Sequence, residues 1–181
     1  MKALILLANG FEECEALTPA DVLRRAGVDV SLVSIGNELK VTGAHNISVM
    51  ADVLLSDIDT SAPDVLILPG GLKGTEALGE SYQVKALIEN SVSAGSYVAA
   101  ICAAPSILGK MGYLDGRDIA CYPGFEKNME QANRTGEKVE VDDIFITAEG
   151  MGVSLEFALK ITELLFGTAV AGDIAEQIRK A

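Results

Sequence analysis

Cys102 stands in the stretch YVAAICAAPS (97–106), between an apolar run of strand length and an Ala-Pro-Ser turn that opens a helical pattern. A side chain on such a turn projects at the top of a sheet, and the dipole of the following helix favours thiolate over thiol. That is the setting of a nucleophile. Free cysteines are otherwise most often small buried hydrophobes, so position alone leaves both readings of Cys102 open. A cysteine nucleophile usually has a histidine base. The chain has one histidine, His45, in an edge-hairpin pattern away from Cys102. An ordinary Cys-His dyad is therefore not expected, and His45 reads as a solvated or interface residue.

The stretch GFEECEAL (10–17) supplies three carboxylates, Glu12, Glu13 and Glu15. Acids at a helix start satisfy free N–H groups and complement the dipole, which suits Glu12 and Glu13. One of the three can instead turn toward Cys102, where burial would raise its pKa. The pattern does not choose among them. The stretch DVLILPGG (64–71) ends in Gly70 and Gly71, which either form a tight turn or let backbone N–H groups approach an oxyanion. Neither GxGxxG nor GxxxxGK[ST] occurs, so no phosphate loop is indicated. Cys14, Cys102 and Cys121 lack CxxC spacing, which argues against a disulfide framework or a cysteine-rich metal site.

These residues need elements to position them. Apolar runs at 2–8, 28–35, 64–71, 96–102, 118–123 and 143–150 have strand length. Helical patterns cover 16–26, 84–94, 105–111 and 153–166, with a last one at 170–180 whose apolar side would dock on the body. The alternation predicts an α/β fold, and the continuously apolar runs KALILLA and DVLIL predict a mostly parallel central sheet with helices on both faces. Segment 38–55 reads as an edge hairpin. Ligands bind outside the carboxyl ends of such strands, which selects loops 8–15, 69–74, 102–105 and 122–125. Every candidate residue except His45 lies in or next to one of these loops.

The 181 residues, 49% hydrophobic and without a linker-like segment, suit a single domain over 1–181. A net charge of −12 would repel a polyanion, so nucleic acid is an unsuitable partner. No apolar run approaches the ~20 residues of a membrane span, and the N-terminus reads as a strand rather than a signal peptide. With free thiols, a cytoplasmic protein is expected.

Taken together, GFEECE, DVLILPGG, AAICAAP and TAEGMGVSLEFAL (147–159) resemble the ThiJ/PfpI superfamily, in the branch that holds the human Parkinson-disease protein deglycase. The likeness runs from Lys2 to about Gly167 in one order. It implies a flavodoxin-like three-layer sandwich, similar to class I glutamine amidotransferase domains, and usually a homodimer. By the same resemblance Cys102 is the elbow cysteine and Glu15 the buried acid at its sulfur, while Gly70, Gly71 and the amide of Ala103 bind an oxyanion.

The activities implied are cofactor-free conversion of methylglyoxal to lactate, repair of glycated proteins or nucleotides, and redox sensing through Cys102 sulfinate. Neither a metal nor an organic cofactor is implied, and the partner is a small aldehyde or glycated substrate. The peptidase branch has a histidine directly after the cysteine; Ala103 stands there, so a peptidase or amidase lacks its base. Glyoxalase-active relatives often have a histidine before proline where this chain has Tyr122, which can donate a hydrogen bond but is a poor base at a pKa of about 10. Glu15 and Cys102 are expected to titrate as one coupled acid holding a single proton near neutrality, with Cys102 mostly thiolate.

Overall fold

The computed structural model describes residues 1–59 and 61–180. Six parallel strands and one antiparallel edge strand form a sheet in the order β10–β11–β7–β6–β1–β2–β5. These strands are β1 (Lys2–Leu7), β2 (Asp29–Ser34), β5 (Val53–Leu54), β6 (Val65–Leu68), β7 (Tyr97–Ile101), β10 (Val139–Asp142) and β11 (Phe145–Ala148). Only β10 runs antiparallel, pairing Val141 with Ile146.

The central strands are apolar throughout because both of their faces are covered. Ala3, Ile5 and Leu7 of β1, Val65 and Ile67 of β6, and Ala99 and Ile101 of β7 face one core. Their neighbours Leu4, Leu6, Leu66, Leu68, Val98 and Ala100 face the other. Period-2 side-chain alternation thus builds two cores from one apolar run. Helices α1 (Glu13–Arg25) and α5 (Ser154–Phe166) cover the first face; α2 (Leu72–Glu80), α3 (Tyr82–Ser93) and α4 (Pro105–Lys110) cover the second. The last helix, α6 (Thr168–Gln177), sets Ile174 against Val22 and Ala158, so its apolar side docks as expected. This is the mostly parallel α/β sandwich that the sequence predicts.

Several elements differ from that prediction. The run 118–123 does not join the sheet: only β8 (Asp118–Ile119) forms, pairing with β9 (Asn133–Arg134) in a separate ladder. Beyond it the Ala120 N–H donates to the side chain of Thr147 rather than to a strand, and Pro123 has no N–H to offer. Segment 38–55 divides. Strands β3 (Lys40–Thr42) and β4 (Ser48–Met50) make an isolated hairpin, while β5 adds to the main sheet beside β2. Helix α2 and strand β10 were not foreseen. The sequence LKGTEALGE carries two glycines, which depress helix propensity, and VEVD alternates charge with valine on a half-covered edge.

Helix α5 seals the first core through Phe157 and Ile161, both without exposed surface. Phe157→Ala should cost about 3–5 kcal/mol, the range for emptying a buried aromatic site. Equilibrium unfolding in denaturant checks this; a loss below about 1 kcal/mol would show that α5 does not hold the core closed.

Candidate active site

Three strand ends meet at the site. After β1 the chain turns through loop 8–12 into α1, after β6 through Gly70–Gly71 into α2, and after β7 through Cys102–Ala104 into α4. Cys102 adopts φ 66°, the left-handed region that a non-glycine residue rarely occupies. Its backbone is held on both sides, the N–H donating to Ala148 O (2.9 Å) and the carbonyl accepting from Tyr122 N (2.9 Å). Such an elbow carries strain of order 1–3 kcal/mol, maintained by the surrounding pairing.

Glu15 lies in the first turn of α1 and has no exposed surface. Its Oε2 accepts the Gly70 N–H at 2.8 Å. Its Oε1 takes no hydrogen bond of ordinary geometry, although the Cys102 thiol lies near enough for the two groups to influence each other's protons. Glycine at 70 is a steric requirement, because a Cβ there would stand 2.5 Å from Glu15 Oε2 and 2.7 Å from Cys102 Cβ. Gly71 takes φ 84°, which turns the chain into α2 while its N–H, with that of Ala103, is directed at the sulfur. Gly70 therefore does not offer a free amide to an oxyanion, contrary to the expectation for that residue: its N–H is spent on Glu15. The Ala103 and Gly71 amides act on the Cys102 sulfur instead.

Burial pushes the Glu15 carboxyl up to about 7, helped by the charge of Glu12 and opposed by the Gly70 N–H and the Cys102 thiol. Burial, then the neighbouring Glu15 charge, pushes the Cys102 thiol up to about 12, against the Ala103 and Gly71 amides. The expected resting thiolate is not what this geometry favours. Burial and their mutual influence raise both groups, so the pair holds its protons more tightly than either group would in water.

The three carboxylates of the first loop separate by direction. Glu12 precedes α1 without capping it through its side chain, and burial raises its pKa. Glu13, nearly buried, turns to the β3–β4 hairpin, where Oε1 accepts the His45 N–H at 2.8 Å and Oε2 meets His45 Nδ1 at 2.9 Å. Burial acts to raise Glu13, but the bonds from the His45 ring and the His45 and Ile47 amides outweigh it and hold the carboxyl below its ordinary value. The simple capping role expected of Glu12 and Glu13 is thus replaced by hairpin anchoring at Glu13. His45, whose ring is 68% exposed, is solvated as expected yet also tied to the first loop, a contact no local pattern signals. Tyr122 arrives on the loop after β8, and an imagined Cβ on Gly150 would stand 3.4 Å from its ring and 3.9 Å from Cys102 Sγ. Gly150 is a site residue the sequence reading missed; its only signal was its place just beyond a strand end. Cys14 is exposed on α1 and Cys121 is buried in the second core.

A raised carboxyl pKa has a stability consequence. The folded form holds the Glu15 proton more tightly than the unfolded chain, so its contribution is complete below pH 4.5 and is lost as pH rises through about 7. The full span corresponds to about 3 kcal/mol. Glu15→Gln should therefore gain about that much stability relative to wild type between pH 4.5 and pH 8 in denaturant titrations. A wild-type-to-variant difference that stays constant with pH would show Glu15 ionising as an ordinary carboxyl.

Comparison with known proteins places this geometry. The model of the DJ-1/PfpI family matches residues 1–164. Protein DJ-1 homolog B of Arabidopsis thaliana is 39% identical over 176 residues, covering 96% of this chain but 40% of that longer protein. The glutathione-independent glyoxalase DJR-1.2 of Caenorhabditis elegans is 35% identical over 167 residues, 91% of this chain and 89% of that one. Among solved structures, a DJ-1 superfamily protein from Salmonella typhimurium superposes with a TM-score of 0.95 at 32% identity, covering 99% of this chain and 98% of that chain. With the elbow, the sheet order and the family model in agreement along nearly its whole length, this chain belongs to the DJ-1/PfpI family.

Proposed function

We propose that the chain is a thiol-dependent enzyme acting on small reactive carbonyl compounds, in the manner of a glyoxalase III or deglycase, with Cys102 as nucleophile and Glu15 as acid-base group. One observation carries the reading: the Glu15 carboxyl, without exposed surface and raised by burial, lies beside the elbow thiol, with one oxygen lacking a hydrogen-bond partner of ordinary geometry among the described residues. The name of the Caenorhabditis elegans relative, a glutathione-independent glyoxalase, supports it.

In this mechanism the Glu15 carboxylate accepts the Cys102 proton as sulfur adds to the aldehyde carbon of a 2-oxoaldehyde. The hemithioacetal oxyanion that develops is met by the Gly71 and Ala103 amides and takes the proton back from Glu15, which is left as carboxylate. Glu15 then moves a proton from the former aldehyde carbon to the adjacent carbon, giving the thioester of a 2-hydroxy acid. Water hydrolyses the thioester, releases the acid and restores the thiol. For methylglyoxal the product is lactate, and no step calls for a cofactor.

A non-catalytic sensor, in which peroxide converts Cys102 to sulfinate, is the second reading. The unengaged Glu15 oxygen favours it, since a protonated carboxyl there can donate to a sulfinate oxygen. The high pKa of the thiol works against it, because the thiolate is the form that peroxide oxidises. A peptidase or amidase still lacks a base after the cysteine, at Ala103.

Homodimerisation and cytoplasmic residence belong to the same proposal. An apolar groove of about 450 Å³ between Leu17, Ile47, Leu155 and Ile178 supports the former. Among the described residues no helix is long and apolar enough to cross a membrane.

Lactate formation from methylglyoxal tests the enzyme reading. Its kcat/KM should rise as Glu15 ionises through a pKa of about 7. Glu15→Gln should lower it by about 100-fold or more, the usual worth of a positioned acid-base group. Cys102→Ser should abolish turnover, whereas Cys14→Ser and Cys121→Ser keep most of it. Equal loss in all three cysteine variants would point to destabilisation, and no wild-type turnover above a buffer control would end the enzyme reading for this substrate class. Sedimentation at micromolar concentration should give twice the 19.0 kDa chain mass; a clean monomer would refute the dimer.

A further inference from the structure

Gly150 poses a question that its backbone does not answer. Its φ of 162° is extended and open to any residue, and an added Cβ would make only ordinary contacts, 3.4 Å to the Tyr122 ring and 3.9 Å to Cys102 Sγ. Neither conformation nor packing therefore calls for glycine here. The missing side chain leaves room for about one carbon atom between the Cys102 sulfur and the Tyr122 ring. Gly150 also lines a groove of about 410 Å³, together with Tyr122, Pro123, Glu149, Met151 and Val153. Tyr122 is 52% exposed and Met151 54% exposed, so two large apolar side chains face solvent at the mouth of the site. Phe125 stands edge-on to the Tyr122 ring with centroids 6.4 Å apart, buttressing it.

We propose that this groove is a specificity subsite that selects carbonyl substrates bearing a neutral aryl or bulky apolar group over those bearing a methyl group. The inference rests on the reading of Cys102 as nucleophile and deepens it by naming the substrate class. A methyl group beside the attacked carbon would leave nearly all of the cavity unfilled, and its volume falls in the range of pockets that take drug-sized ligands. An aryl group on the attacked carbon would extend past Gly150 into the groove and meet Tyr122 in the offset or edge-on geometry aromatic pairs prefer, with Met151 also lining the groove. Glu149 sets the charge preference. Its carboxylate, paired with Arg134 at 3.3 Å, lines the same groove and disfavours an acidic substituent.

The test uses alkylation of Cys102, which needs no turnover, in a protein with Cys14 and Cys121 replaced by serine. Each reagent forms one sulfur–carbon bond, expels bromide and releases the thiol proton to buffer. Rates for 2-bromoacetophenone and bromoacetone, followed by intact mass, are each divided by the rate with free N-acetylcysteine. The normalised aryl-to-methyl ratio should be about 5, consistent with one aromatic contact. Tyr122→Phe should keep it, Tyr122→Ala should bring it near 1, and Gly150→Val, which fills that room, should bring it to 1 or below. A ratio near 1 in the parent protein, or one unchanged by both Tyr122→Ala and Gly150→Val, overturns the subsite. The kcat/KM values for phenylglyoxal and methylglyoxal separate this from the enzyme reading. An alkylation preference without turnover of either aldehyde keeps the subsite and removes the glyoxalase. Turnover of both with an alkylation ratio near 1 does the reverse.

Discussion

The contact on which the site depends is the buried carboxyl of Glu15 accepting the Gly70 N–H beside the Cys102 sulfur. It joins three chain segments that arrive from β1, β6 and β7, and each must be shaped for it. Helix α1 has to begin close enough to β1 that its first turn points into the sheet end. Position 70 has to lack a side chain, and the chain at 102 has to enter the left-handed region so that sulfur projects from the elbow. None of these features helps the fold: a carboxyl without solvent and a strained cysteine both cost stability. The two packed cores on either face of the sheet offset that cost, and the chemistry is what the arrangement gains in return.

Environment, more than residue type, distinguishes the acids of the first loop. Glu13 and Glu15 lie two residues apart and both are buried, yet their pKa values move in opposite directions. Glu13 finds a histidine ring and two amides from the hairpin, which satisfy its charge. Glu15 finds one amide and a thiol, which do not. The difference leaves one carboxylate holding the hairpin on the loop and makes the other the one proposed for proton transfer. The same logic applies to the sulfur: burial first, and then the acid beside it, raise the thiol instead of activating it. In the proposed mechanism, activation comes as substrate binds and Glu15 takes the proton.

Much of this was readable in the residues. Continuously apolar runs such as KALILL gave a parallel sheet because burial on both faces leaves no polar position, and the strand-end rule brought Cys102, the GFEECE acids and the two glycines into one region. The choice of Glu15 came from family resemblance, because i and i+2 positions on a helix start look alike until the facing strands are known. The role of Gly70 as a partner of Glu15, the tie between His45 and Glu13, and the approach of Gly150 to Tyr122 and Cys102 all join residues separated by 28 or more positions along the chain. Local pattern carries no signal for such contacts. The run 118–123 misled because apolar character marks burial, and Ala120 and Cys121 are buried without belonging to a strand of the main sheet.

The central claim concerns where one proton sits, and the ionisation of Glu15 can be watched directly. Infrared difference spectra of the carboxyl stretch, recorded from pH 4 to pH 9 and isolated by subtracting Glu15→Gln, report that side chain alone. Protonated carboxyl absorption should persist through pH 6 and vanish with a midpoint of about 7. A midpoint at the ordinary carboxylate value near 4.5 would contradict the account, since Glu15 would then be too weak a base at neutral pH to take the thiol proton.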